Sequence, residues 1–328
     1  MINIIYFSNS GLGLYYQSLL ESLAEDEDID LCVYGPGYPN YNPADNLAEV
    51  ASKSGFNNVD LYFFSAGWDL DTSLESVNPH PNINVSKTDV PKFYLLNKEY
   101  KKLNLRLEYA KLNNFDVCFT VHHYYKKWQE ETGINFVRLP FAADEQIFKD
   151  YNEQKTYDLG FSGNLHNYKD DGTELGKSKV SMMGNNFQNI RERSFQKLFN
   201  SEKTKSLKLF HSNQYFYNEQ YSRLINSSKC WYCTPSAIDI VGTRFFEIMG
   251  SKTLLFCSES DAYEGLFNQA HHCATFKRDL SDIEEKLLYY LNNDKERNLI
   301  TDRAHEHFLK NHTWKNRINK IKETFKSL

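Results

Sequence analysis

The sequence has no long apolar run. Nothing approaches the ~20 consecutive apolar residues that a membrane-spanning helix requires, so no span is expected. Its start, Met1-Ile-Asn-Ile-Ile-Tyr-Phe7, lacks a basic segment and a cleavage site, so no export signal is expected and the default location is the cytoplasm. Proline is scarce, at 8 of 328 residues, and glycine modest, at 15, which excludes collagen-like and low-complexity chains. There are six cysteines: Cys32, Cys118, Cys230, Cys233, Cys257 and Cys273. Most stand in apolar, strand-like runs, where a free Cys acts as a small buried hydrophobe, and reduced thiols are expected. Cys230-Trp-Tyr-Cys233 has the spacing of a redox pair, but it reads as a strand, not the helix start that lowers a thiol pKa. No second Cys pair completes a zinc site, and His271-His272 and His305-Glu-His307 lack the i,i+4 spacing of a helical metal motif. No metal or cofactor is expected, and no groove for nucleic acid is evident.

Aromatic residues are abundant: 22 Tyr, 23 Phe and 4 Trp, enough to fill two cores. The net charge of −5 implies no partner by itself, but it is unevenly spread. Residues 1–154 carry 12 basic against 22 acidic side chains; residues 155–328 carry 26 against 21. An acidic first half and a mildly basic second half fit two domains, the second able to meet an anion, or equally an ordinary drift of surface charge.

Hydrophobic patterning supplies the order of elements. Ile2 to Phe7 reads as a buried parallel strand, Ser8 to Gly13 as a turn of small residues, Leu14 to Ala24 as a helix and Ile29 to Tyr34 as a second strand. This is a βαβ opening. Strands follow at 59–64, 91–96, 116–121 and 136–140, with a helix over 100–113. After a polar linker at 149–156 the pattern restarts. Strands are expected at 157–162, 207–210, 230–234, 253–257 and 274–276, and helices at 188–200, 220–228, 242–249, 281–292 and 296–310. The last stretch, Trp314 to Leu328, is a basic amphipathic helix with Trp314, Ile318, Ile321 and Phe325 on one side. Its Lys315, Arg317, Lys320 and Lys322 suit either peripheral contact with an anionic membrane or a solvated face over packing against the first domain. The expected fold class is α/β, with two Rossmann-like domains facing across a cleft, where such sheets bind small molecules.

Several residues carry candidate chemistry. Gly11 and Gly13 permit close backbone approach, but the G-x-G-x-x-G spacing of a nicotinamide site is not met. In Thr234-Pro-Ser-Ala-Ile-Asp-Ile-Val-Gly-Thr-Arg-Phe-Phe-Glu-Ile-Met-Gly250, Gly242 and Thr243 open a helix whose amides can hold a phosphate. Arg244 adds a cation, and Glu247 can accept hydrogen bonds from a ribose. A plain capped helix with a surface ion pair is the competing reading. The backbone at Gly163 and Gly242 is a further source of charge stabilisation. Ends of first-half strands offer Asn97, Lys98, Glu99, His122 and His123 as proton-handling or acceptor-side groups, although Glu99 also suits a helix start and either His a structural role.

The stretch Gly242-Thr-Arg-Phe-Phe-Glu-Ile-Met-Gly250 followed by Ser251-Lys-Thr-Leu-Leu-Phe-Cys257 resembles the donor-site segment of GT-B glycosyltransferases of the group-1 and CgeB-like families. Their E-x7-E pattern would read Asp239-x7-Glu247. Phe136 to Phe148, Tyr157 to Gly163 and His312 to Arg317 follow in the family's order. The resemblance implies an acceptor domain over 1–150, a nucleotide-sugar donor domain over 151–310 and a helix at 311–328 crossing back to the first domain. It implies a glycosyltransferase, retaining and metal-independent, acting on a glycan, a lipid-linked or another small acceptor, at the cytoplasmic face if a membrane is involved. Glu247 would hold the donor ribose and Asp239 would stand near the sugar, one methylene shorter than the usual Glu. The diphosphate cation could be Lys169, Lys177, Arg191 or Arg193, with Arg191 preferred. A non-catalytic two-domain protein that clamps a small ligand is the alternative, and a nucleotide-sugar epimerase a weaker one.

Overall fold

Among the described residues, strands form two sheets, and every strand pair within each sheet is parallel. The computed structural model describes residues 1–10, 14–65, 82–96, 103–163, 190–236 and 239–328. The chain divides into two compact units, Met1–Pro140 with Arg317–Leu328, and Phe141–Asn316. Both are α/β sandwiches of the Rossmann-like type.

In the first unit the strands are β1 (Ile2–Phe7), β2 (Ile29–Tyr34), β3 (Leu61–Phe64), β4 (Lys92–Leu96), β5 (Val117–Thr120) and β6 (Phe136–Arg138), in the order β2-β1-β3-β4-β5-β6. The helices are α1 (Leu14–Glu25), α2 (Leu47–Lys53), α3 (Leu103–Leu112) and α4 (Tyr125–Thr132). Helices α2 and α4 were not expected, being only two turns long. Local chemistry explains them: Asn46 and Glu49 close a reciprocal capping box on α2, and α4 ends on Gly133 at φ +71°.

The aromatic excess is spent on this sheet. Side chains alternate between faces, and the register sets Tyr6 beside Phe63 and Phe7 beside Phe64. One face therefore carries Tyr6, Phe63, Phe93 and Phe119 in edge-on and tilted contacts, and the other stacks Phe7 on Phe64 at 4.3 Å. Gly35, at φ +151°, lets the end of β2 press on the end of β1: a Cβ there would sit 1.7 Å from the Ser8 carbonyl oxygen.

The C-terminal helix, α10 (Trp314–Lys326), buries Trp314, Ile318 and Ile321 as its pattern predicts. Two of the five basic residues on it are held internally. Arg317 Nε donates to the Pro140 carbonyl at 2.8 Å, and Lys322 Nζ binds Asp26 and Asp28 at 2.8 and 3.0 Å. Burial, and then the neighbouring Arg138, pull the Arg317 pKa down to about 9. Lys315 and Lys320 remain exposed. Among the described residues no helix is long and apolar enough to cross a membrane.

In the second unit the strands are β7 (Tyr157–Ser162), β8 (Leu209–Ser212), β9 (Ser228–Cys233), β10 (Leu254–Ser258) and β11 (Ala274–Phe276), in the order β11-β10-β9-β7-β8. The helices are α5 (Ile190–Phe199), α6 (Asn218–Asn226), α7 (Thr243–Gly250), α8 (Ile283–Asn292) and α9 (Asp294–Asn311). Cys230-Trp-Tyr-Cys233 forms the last four residues of β9, a strand as its apolar pattern predicts, and burial pushes both thiols up to about 12.

Candidate functional site

The site is built around the start of α7. Phe245, Phe246, Ile248 and Met249 are fully buried and fix the helix against the sheet. Arg244 and Glu247, three residues apart, share the half-buried face left over. The helix is opened by Gly242, in extended backbone and without a side-chain cap. Its far end is pinned because Gly250 lets the Phe148 carbonyl and the Phe308 ring come within 2.7 and 2.9 Å of where a Cβ would be. Loss of solvent raises the Glu247 pKa, opposed by the Arg244 guanidinium and the Thr243 hydroxyl.

Arg244 reaches the carboxyl end of β7. Its Nη1 and Nη2 lie 3.1 and 3.5 Å from the point a Gly163 Cβ would occupy, at a residue whose φ of +122° also favours glycine. Its Nε donates to the Tyr221 hydroxyl at 3.1 Å, which lies 2.7 Å from Ser162 Oγ. Gly163, Thr243, Arg244 and Glu247, singled out in the sequence, thus stand together. Ser162 and Tyr221 complete the group and were missed: Tyr221 sits with Leu224 and Ile225 on the apolar face of α6 and reads as core.

One expectation is corrected. The Gly163 amide cannot serve an incoming anion, because it donates to the Ser212 carbonyl at 3.0 Å and so extends the β7–β8 ladder. The glycine makes room for the guanidinium of Arg244 instead. Arg191, in the first turn of α5, donates from Nε to Thr234 Oγ1 at 3.3 Å and so stands at the carboxyl end of β9. Arg193 is exposed. Asp239 adopts a left-handed φ of +55°, and its Oδ1 accepts from Arg278 Nη1 at 3.1 Å. The partner is 39 residues away, on the loop after β11, and nothing local in the sequence announces it. Lys169 and Lys177 lie outside the described residues.

In the first unit, His122 follows β5 and is buried. Its Nδ1 accepts the Tyr124 amide at 3.2 Å, so a proton on the neutral ring sits on Nε2. It stacks on His123 at 4.9 Å and leans on Trp128 at 5.4 Å. His123 is half-buried. Gly11, Gly13, Asn97, Lys98 and Glu99 lie outside the described residues. Among the described residues no three His, Cys, Asp or Glu side chains gather as a metal site.

Residues 173–323 match the family model described as glycosyl transferase-like. No curated protein matches the chain significantly. Among solved structures, sucrose-phosphate synthase from Thermosynechococcus elongatus is similar over 100% of this chain and 99% of its own, at 11% identity and a TM-score of 0.62. Anabaena HepE in complex with UDP is similar over 100% of both chains, at 10% identity and a TM-score of 0.61. A glycosyltransferase from Rickettsia africae covers 99% of this chain and 98% of its own, at 12% identity and a TM-score of 0.62. The chain therefore has the GT-B fold, and its second unit carries a sequence similar to the glycosyl transferase-like family.

Proposed function

We propose that the protein transfers a hexosyl or pentosyl group from a nucleotide-diphosphate sugar to an acceptor, with retention and without a metal, and that it stands nearest the group-1 and CgeB-like enzymes. The observation that carries this reading is the convergence of Arg244 and Glu247 beside Gly163, at the opening of α7. Departure of the sugar leaves negative charge on the diphosphate. The Arg244 guanidinium and the amides opening α7 are suited to receive that charge. The Glu247 carboxylate, half-buried and one turn further on, accepts hydrogen bonds from the donor ribose. Asp239, held by Arg278, faces the sugar, and the acceptor side falls to the first unit. HepE, the neighbour solved with UDP and with UDP-glucose, supports a nucleotide-sugar donor.

Thermal-shift titration with UDP, GDP, ADP, TDP and CMP tests the proposal. At least one diphosphate should raise Tm in the wild-type protein; Glu247→Ala should abolish the rise and Arg244→Ala should reduce it. A flat response to all five would overturn it.

A further inference from the structure

We infer that Tyr221 is a positioning residue that fixes Arg244 for the donor diphosphate, an inference that rests on the donor-site reading above. Tyr221 is buried on α6, with Phe148 and Trp231 edge-on at 6.2 and 6.1 Å and Phe216 stacked at 6.3 Å. None of these contacts needs a hydroxyl; a phenylalanine would make them all. The hydroxyl instead faces the site. A guanidinium has only donors, so the Arg244 Nε–H must donate to the phenol oxygen at 3.1 Å. The phenol keeps its own proton and pairs with Ser162 Oγ, 2.7 Å away on the last residue of β7, where either oxygen can donate. Burial raises the phenol pKa to about 12, so this proton stays in place at neutral pH.

The consequence is geometric. With Nε tethered, the plane of the guanidinium is set and its outer nitrogens lie over Gly163, where a Cβ would crowd Nη1 at 3.1 Å. A long, flexible side chain is ordered before the anion arrives, and the entropic cost of ordering it is removed from binding. The two ends of the tether, Ser162 on β7 and Arg244 on α7, are 82 residues apart in the chain and are joined through one phenol oxygen.

The test is a double-mutant cycle read by calorimetric titration with UDP and, in a parallel arm, GDP. The proteins are wild type, Tyr221→Phe, Arg244→Ala and the double variant, with Tm measured for each without nucleotide. Tyr221→Phe should keep Tm within a few degrees and raise Kd about tenfold, the scale of one hydrogen bond to a charged group. In the Arg244→Ala background the same change should add less than about twofold. Ser162→Ala, which removes only the far partner, should raise Kd by about threefold and covers the case in which Tyr221→Phe does not fold. Wild-type affinity in Tyr221→Phe, or an equal loss with and without Arg244, overturns the positioning role alone. Failure of wild type to bind either nucleotide overturns the donor-site reading and this inference with it.

Discussion

At Gly160 and Gly242 the missing side chain serves different needs. Gly160 pairs with Trp231 across β7 and β9, and a Cβ there would lie 2.3 Å from the indole ring. Both atoms belong to rigid groups, so Gly160→Ala should destabilise the second unit by about 1–3 kcal/mol, read as a lower urea midpoint. Gly242 has no described atom within 4 Å of such a Cβ. Gly242→Ala should therefore cost no more than about 1 kcal/mol, the preference of a helix N-cap for Gly over Ala. A wild-type urea midpoint for Gly160→Ala would show that Trp231 moves aside without penalty. The same scale shows where sequence reading stops. Arg244 and Glu247 were legible because their spacing on a short helix places them on one face. Tyr221 was not, because a hydroxyl on an apolar face looks like core until its partners, 59 residues before and 23 after, are brought to it. The Arg278–Asp239 pair and the use of the Gly163 amide within the sheet were hidden for the same reason: periodicity is local, and these bonds are not.

Among the elements, long helices and strands with a clear period were readable to within about two residues. Helix α9 runs from 294 to 311 against an expected 296–310, and β10 from 254 to 258 against 253–257. What the histidines on and beside α9 do was not readable. His307 Nε2 and His312 Nε2 both meet the Leu266 carbonyl, at 2.7 and 2.8 Å, and His272 stacks on His307 at 4.1 Å. His272 Nδ1 accepts the Asn268 amide at 3.1 Å, a bond that fixes the neutral ring. Burial, and then His307, His271 and Arg303, lower its pKa from 6.5 to about 4. In the folded protein His272 thus stays neutral while its unfolded counterpart gains a proton. Its contribution is complete above pH 6.5 and is lost as pH falls towards about 4. Allowing for partial solvent exposure, roughly 1–2 kcal/mol should disappear over that interval. Urea denaturation at pH 7.5 and pH 5 measures it, and His272→Gln should flatten the dependence. A variant with the wild-type slope would assign the effect elsewhere.

For the whole molecule, the division of labour follows the path of the chain. Ser162, Gly163, Arg191, Tyr221, Asp239, Arg244, Glu247 and Arg278 all lie within Phe141–Asn316, a unit with its own sheet and apolar core. A fragment of residues 141–316 should fold and retain the nucleotide-induced thermal shift of the full protein. Loss of that shift in a folded fragment would assign part of donor binding to the first unit. The converse fragment, 1–140, should be unstable, since Arg317–Leu328 belongs to that unit and supplies the buried Ile318 and Ile321. The hydrogen bond from Arg317 Nε to the Pro140 carbonyl has a topological meaning here. It joins the residue where the chain leaves the first unit to the residue where it returns, so the second unit is an insertion whose entry and exit lie side by side. A short peptide linking 140 to 317 should close the host unit after excision, and the excised cassette should accept new termini at its own surface.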